Sequence, residues 1–93
     1  MEFEILIQGR GGHGSRPDLC SNPVDCFTAV YTALQPMGCR FRWVDGGTSA
    51  NIIPDTLSFA VLCDASCWEA LEQSVKNVCK NYNCSPVLQK KGE

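Results

Sequence analysis

The chain has 93 residues, a net charge of −2 and eight basic residues that are scattered along it. This length accommodates one domain with a single core and excludes a second domain. The scattered charge argues against nucleic acid and against an anionic membrane as partners. No apolar run approaches the roughly 20 residues that span a bilayer, and residues 1–4 lack the pattern of a signal peptide, so we expect a cytoplasmic protein.

A glycine-rich turn follows the first predicted strand. The strand covers residues 2–8, where Phe3, Ile5 and Ile7 alternate with mostly polar residues. The turn, Gly-Arg-Gly-Gly-His-Gly-Ser-Arg-Pro over residues 9–17, holds the only histidine of the chain, His13. Because glycine lacks a Cβ and adopts positive φ angles easily, the turn allows the imidazole to project as a contact group. A solvated loop histidine with no function is the alternative.

The first helix is predicted from Pro23, with Asn22 as its cap, to about residue 35, where Pro36 and Gly38 end it. Its apolar stripe is Val24, Phe27, Val30, Tyr31 and Leu34. Small residues flank this stripe, namely Cys26, Ala29 and Ala33. They widen the apolar surface, so that the helix can contact both its sheet and a second helix; a merely wide core face is the alternative.

Two further strands are predicted around a second glycine-rich turn. Residues 39–45 alternate, which places Phe41 and Trp43 on one face and both arginines on the other. The turn Gly-Gly-Thr-Ser-Ala-Asn-Ile-Ile-Pro-Asp covers residues 46–55. The third strand then buries one face, made of Leu57, Phe59, Val61 and Cys63.

A second helix and a short strand complete the chain. Ser66 and Glu69 form a predicted capping box, and the helix ends near residues 81–83. The last strand covers residues 86–89. The resulting order β-α-β-β-α-β predicts an α+β, ferredoxin-like sandwich, with a four-stranded antiparallel sheet and two helices on one face. Its first and last strands are neighbours, so the chain ends lie close together, which suits insertion into a host domain.

The seven cysteines are an odd number. Cys26, Cys63 and Cys79 fall on faces predicted to be buried, so we expect reduced thiols that pack as small apolar side chains. The spacings Cys63-x3-Cys67 and Cys79-x4-Cys84 leave a zinc site as an alternative, although no Cys-x2-Cys pair occurs.

The two glycine-rich turns together resemble the dimerisation, or lid, domain of the zinc-dependent aminoacylase and carboxypeptidase family. This family includes hippurate hydrolase, N-acyl-amino-acid amidohydrolases and auxin-conjugate hydrolases, and the resemblance extends from Phe3 to about Gly92. It implies that residues 1–93 form one dimerisation and lid domain of a larger metallohydrolase. The partners would be a second copy, bound through the first helix and the edge of the predicted second strand (residues 39–45), and the catalytic domain of the same chain. The substrate would be an N-acyl amino acid or a peptide.

The resemblance also implies roles for particular residues. In the family, a histidine that matches His13 enters the partner subunit's active site and hydrogen-bonds the scissile carbonyl and the oxyanion that develops from it. An asparagine that matches Asn51 contacts the substrate or the oxyanion. Five further residues would hold the two turns in shape without contacting substrate, namely Gly12, Gly14, Gly46, Gly47 and Thr48. Two zinc ions are expected in the catalytic domain of the larger protein and none in this chain, which should be inactive alone.

One position departs from the family, because Asp64 stands where an arginine commonly faces the substrate's carboxylate. A carboxylate cannot replace that guanidinium, so the substrate group at this point would be neutral or basic, or the register differs by one or two residues. Two other interpretations of the chain remain. One is a stand-alone ferredoxin-like binding module for a small molecule or a protein. The other is a thiol redox or metal-carrying protein, which the cysteine content alone suggests.

Overall fold

A computed structural model of the chain describes residues 1–9, 12–13, 22–46, 52–53 and 56–91, with the backbone alone described at 12–13 and 52–53. Its six strands are β1 (Glu2–Gln8), β2 (Gly12–His13), β3 (Arg40–Gly46), β4 (Ile52–Ile53), β5 (Thr56–Leu62) and β6 (Ser85–Lys91). Its two α-helices are α1 (Pro23–Leu34) and α2 (Trp68–Asn81), and short 3₁₀ turns cover Gln35–Met37 and Ala65–Cys67.

Four strands form one antiparallel sheet in the order β3-β5-β1-β6. The two central strands are β5 and β1, and β3 and β6 are the edges. Glu2 lies opposite Lys91 and Gln8 opposite Ser85, so the first and last strands are neighbours along their whole length. The predicted ferredoxin-like topology is therefore confirmed.

The core lies between the helices and one face of the sheet. Every second residue of the central strands enters it, as the period of two requires. The sheet contributes Phe3, Ile5, Ile7, Leu57, Phe59 and Val61, all buried. The helices contribute a matching row of Cys26, Val30, Leu34, Leu71, Val75 and Cys79. The predicted buried face of the third strand and the predicted burial of Cys26 and Cys79 are thus confirmed.

The buried face of α1 differs from the predicted stripe. Asn22 does cap the helix, since its Oδ1 accepts a hydrogen bond of 2.9 Å from the Val24 nitrogen. The line that enters the core is Pro23, Cys26, Val30 and Leu34, whereas Val24 and Tyr31 are exposed. The small Cys26 allows α2 to approach, and its Sγ lies 3.5 Å from that of Cys79. The helix therefore contacts both the sheet and α2, and Val24 and Tyr31 lie on its outer side.

The predicted capping box of the second helix is wrong. The helix begins one residue later than this box requires, at Trp68, and the side chain of its N-cap, Cys67, makes no capping hydrogen bond. Asp64 instead caps the preceding 3₁₀ turn, where it accepts from the Ser66 nitrogen at 3.0 Å and from the Ser66 hydroxyl at 3.1 Å. An aspartate competes effectively for backbone N–H groups, so it takes the role that the sequence pattern gave to the serine.

A β-bulge in β3 overturns the prediction that Phe41 and Trp43 share a face. Phe41 pairs with Val61, but Trp43 pairs with Ala60, so Arg42 is the extra residue. An extra residue moves every later side chain to the opposite face. Phe41 packs toward the helices, stacked at 5.6 Å on Phe59. The ring of Trp43 lies on the open face, 42% exposed.

Candidate functional site

Both glycine-rich turns leave the sheet at the same end. β1 ends at Gln8, which pairs with Thr56, the first residue of β5. β3 ends at Gly46, which pairs with Leu57. The segment after β1 and the segment between β3 and β5 therefore start from adjacent positions, because antiparallel pairing aligns the end of one strand with the beginning of the next.

The two turns also pair with each other. β2 and β4 form a separate two-stranded antiparallel sheet, in which Gly12 lies opposite Ile53 and His13 opposite Ile52. This pairing places the backbone of the only histidine beside the residue that follows Asn51 in the sequence. The sequence motifs indicated both turns but gave no sign that their backbones pair.

Most of the predicted site side chains lie outside the described residues. Gly14, Gly47, Thr48 and Asn51 are among them, as is the side chain of His13. The roles assigned to them stay predictions.

Gly46 is the support residue whose surroundings are described. A Cβ at this position would lie 2.9 Å from Leu57 Cγ and 3.0 Å from Leu57 Cδ1, closer than carbon atoms pack. Leu57 is buried, at 4% exposure. A side chain at this position, the last residue of β3, would therefore force Leu57 to shift within the core.

Asp64 lies at the opposite end of the sheet from these turns, two residues after β5 ends. Its carboxylate is exposed and accepts the two bonds from Ser66. The backbone bond from Ser66, followed by the hydroxyl bond, holds the pKa of this carboxyl below its usual value. The aspartate thus has a structural role as the cap of the 3₁₀ turn.

An exposed apolar surface joins α1 to the edge strand β3. Val24 and Tyr31 lie on α1 and Val44 on β3, and each is 42–48% exposed. Tyr31 packs against Phe41 of β3, with ring centroids 4.8 Å apart. Phe27 connects the two elements, 5.8 Å from Phe41 and edge-on to it. We call Val24, Phe27, Tyr31, Phe41 and Val44 the α1–β3 surface.

Four of the six cysteines in the described part of the chain form two close pairs, Cys26 with Cys79 and Cys39 with Cys63. All six of them are free thiols. Cys39 and Cys63 have their sulfur atoms 3.1 Å apart, and burial raises the pKa of both thiols. Within residues 1–9, 22–46 and 56–91, no group of three or more His, Cys, Asp or Glu side chains is arranged to hold a metal ion. Nor does any helix in these ranges have the length and apolar character to cross a membrane.

Comparison with known proteins places this domain in a family. The family described as the peptidase dimerisation domain matches residues 1–83. The chain belongs to that family. Its membership confirms the resemblance carried by the two turns, and it means that the fold serves association with a partner chain in peptidases.

Individual relatives agree with this assignment. A probable hydrolase of Synechocystis sp. is 30% identical over 99 aligned positions, which cover 87% of this chain and 25% of the relative. A succinyl-diaminopimelate desuccinylase of Ehrlichia ruminantium is 36% identical over 70, covering 61% of this chain and 18% of the enzyme. The chain thus spans a quarter or less of these relatives' length.

Among solved structures, the dimerisation domain shares its fold with a dinuclear metal binding peptidase of the M20 family from Bacillus subtilis. The TM-score is 0.69 at 19% identity, over 95% of this chain and 24% of the peptidase.

Proposed function

We propose that this dimerisation domain pairs two subunits of a zinc-dependent peptidase or N-acyl-amino-acid amidohydrolase, caps the substrate and lends His13 to the partner subunit's active site. The observation that carries the proposal is the pairing of His13 with Ile52, which joins the histidine turn to the turn containing Asn51. Two turns held together at one end of a sheet can act as one contact surface toward a substrate.

The α1–β3 surface supports a homodimer through the first helix and the edge strand. Its exposed side chains are apolar, and β3 is an edge with unpaired backbone groups. The other edge, β6, carries Pro86 and two lysines, residues that discourage strand pairing. The bulge interrupts β3 at Arg42, so we expect two copies to pair through the regular part, Trp43 to Gly46, into one continuous eight-stranded sheet.

The position of Asp64 supports a contribution in trans. The seven residues of β5 span roughly 20 Å at about 3.3 Å per residue, and they separate the end that holds both turns from the end that holds position 64. The resemblance implies that a histidine matching His13 and an arginine at or within two residues of position 64 both face substrate. Two groups this far apart on one domain reach one substrate more readily if they come from two subunits.

In the proposed site, two zinc ions bound by the catalytic domain supply Lewis-acid and metal-bound-water chemistry. His13 would donate a hydrogen bond to the scissile carbonyl oxygen and to the oxyanion that forms on it. Asn51 would donate to the substrate from the same turn pair. Such donors act strongly because the negative charge develops in a closed site with little water. The dinuclear metal of the Bacillus subtilis relative is consistent with this assignment.

Cytoplasmic location is part of the proposal. Six free thiols in the described residues, five of them buried, suit a reducing compartment. A stand-alone binding module remains the competing function, and the 18–25% coverage of the longer curated relatives favours the inserted domain over it.

The decisive experiment replaces His13 by alanine in the full-length hydrolase that carries this domain. We expect kcat to fall by about 10²-fold or more, as for loss of an oxyanion donor, with zinc content and thermal stability unchanged. Mixing this variant with a second one that lacks a zinc ligand should restore activity, because one site of the heterodimer regains both metals and an intact histidine. Heterodimers that form without any recovery would contradict the role in trans.

A further inference from the structure

We propose that Cys39 and Cys63 form a redox-active cross-strand pair, which hydroperoxides convert to a disulfide and cellular thiols reduce again. This site is independent of the hydrolase function proposed above. It rests on the strand register, on the hydrogen bonds of the neighbouring strand, and on the distance and accessibility of the two sulfur atoms.

The register places the two cysteines directly opposite each other. Arg40 pairs with Leu62 and Phe41 with Val61, and the next step of the same register pairs Cys39 with Cys63. Each cysteine follows or precedes a strand by one residue, so the pair closes the sheet at the end remote from His13.

The hydrogen bonds of Cys63 show which kind of pair this is. The Cys63 nitrogen donates to the Met1 oxygen at 3.0 Å, and the Met1 nitrogen donates to the Cys63 oxygen at 3.0 Å. In a strand, the N–H and C=O of one residue point to the same side, so both groups of Cys63 are used toward β1. Toward Cys39 it therefore forms a non-hydrogen-bonded pair, in which Cα atoms are about 4.5 Å apart and the side chains are closest.

That geometry accommodates a disulfide without movement of the backbone. Disulfides join Cα atoms about 4.4–6.8 Å apart with an S–S bond of about 2.04 Å. The two sulfur atoms are 3.1 Å apart, so they need to approach each other by about 1 Å to form the bond, which side-chain rotation can supply. The side chains of Cys39 and Cys63 are 7% and 8% exposed, which leaves a small reagent a path to them.

The second thiol pair provides an internal comparison. Cys26 and Cys79 join the two helices with their sulfur atoms 3.5 Å apart, but both are 0% exposed. They resemble the first pair in proximity and differ from it in access, so a peroxide should reach Cys39 and Cys63 before it reaches Cys26 and Cys79.

The reaction balances with the peroxide as the only oxidant. Burial raises the pKa of both thiols, so the thiolate is their minor form and the reaction is faster at higher pH. This thiolate attacks an oxygen of hydrogen peroxide; an S–O bond forms, the O–O bond breaks, and the leaving hydroxide takes a proton to become water. The second thiol then attacks the sulfenic acid, so that the S–S bond forms, the S–O bond breaks and a second water leaves with the thiol proton. Two thiols are oxidised, one peroxide is reduced, and the bond fixes the start of the edge strand β3 to β5.

The experiment uses the folded chain with Cys20→Ser, since Cys20 lies outside the described residues. The protein is treated with limiting hydrogen peroxide, alkylated, digested without reduction and mapped by mass spectrometry. We expect a peptide pair linked through Cys39 and Cys63, lighter by two hydrogen atoms, that dithiothreitol separates. The thermal midpoint of the oxidised protein should rise, because the link closes a long loop.

Variants test the assignment further. Cys39→Ala should abolish both the link and the rise in the midpoint, whereas the matched Cys26→Ala should retain both. If either variant fails to fold, the map of the Cys20→Ser protein still decides. A link between Cys63 and Cys67, a predominant link between Cys26 and Cys79, or oxidation to sulfinic acid without any link would overturn the proposal.

Discussion

Replacing Gly46 by alanine should destabilise the domain, although the backbone there accepts alanine. Gly38 and Asn83 are the described residues with positive φ, and Gly46 is not among them. With that backbone, a change from glycine to alanine alone would stabilise by about 0.4–1 kcal/mol, because the unfolded chain loses freedom. The new Cβ, however, would lie 2.9 Å from Leu57 Cγ and 3.2 Å from Leu57 Cβ.

The overlap cannot be relieved cheaply. Leu57 is buried, and the atoms met are its Cγ and Cβ, near the backbone of β5, as well as its flexible end. Overpacking of this kind costs about 1–3 kcal/mol. After the backbone gain, we expect Gly46→Ala to lower the free energy of unfolding by about 1–2 kcal/mol, a fall of roughly 4–16 °C in Tm for a domain of this size.

A double-mutant cycle in urea unfolding separates the clash from other effects. In a Leu57→Ala background the Cγ and Cδ atoms are gone, so Gly46→Ala should be neutral or stabilising by about 0.5 kcal/mol. Gly38→Ala is the matched control. Gly38 has a φ of +75° with open space around it, so its cost arises from the backbone and should be the same in both backgrounds. A stabilising Gly46→Ala in the wild type, or an equal cost in both backgrounds, would refute the reasoning.

Three further predictions concern the Asn22 cap of α1, the Asp64 cap of the 3₁₀ turn and the α1–β3 surface. Asn22→Ala should lower the free energy of unfolding by about 1 kcal/mol in urea, since it removes the acceptor for the first turn of α1; no loss would deny the cap. Because hydrogen bonds lower the pKa of Asp64 in the folded state, their stabilisation is present above the unfolded pKa and disappears as the pH falls through the folded pKa. Carboxyl NMR should show a lowered titration midpoint for Asp64 in the wild type, and Asp64→Asn should reduce the loss of unfolding free energy as the pH falls through this range. Val44→Lys should weaken self-association in sedimentation, whereas Val87→Lys, at a similarly exposed valine on the other edge strand, should leave it unchanged; equal effects would exclude the α1–β3 surface.

Periodicity predicted the layers of this fold because burial on one face imposes it directly. Alternation in β1 and β5 and the three- and four-residue spacing in the helices follow from which side chains water excludes. The order of elements then left few topologies, and antiparallel pairing of the first and last strands followed. The layers and the strand order depend on residues that each contact the core independently, so they can be predicted from the pattern of apolar residues along the sequence.

The bulge at Arg42 illustrates what local pattern could not supply. Residues 39–45 alternate in the sequence without interruption, yet the register slips by one residue and Trp43 changes face. The slip is decided by packing across the sheet: Phe41 fits against Phe59 and Phe27, while Val44, not Trp43, continues that face. The buried face of α1 has a similar cause, because α2 approaches α1 at Cys26 and the helix must face both α2 and the sheet.

At the candidate site, too, the sequence motif predicted the turn but not its position in the fold. Glycines on both sides of His13 indicated a turn, but the position of that turn is fixed by pairing elsewhere in the sheet. Gln8 and Thr56 bring the bases of the two turns together, and His13 and Ile52 then pair between them. Since each of these contacts joins residues distant in sequence, the placement of His13 depends on the end of the sheet more than on its own turn.

It follows that the end of the sheet is where function can be altered without touching His13 or Asn51. Gly46 of β3 pairs with Leu57 of β5, and Leu57 pairs on its other side with Ile7 of β1, the residue before Gln8. This row of three residues spans the strands from which both turns depart, and Ile7 and Leu57 are buried. A side chain that forces Leu57 to move must displace one or both strand ends, because a core at crystal-like density cannot absorb the shift locally. The Gly46→Ala substitution would therefore disturb the relative placement of the two turns as well as stability.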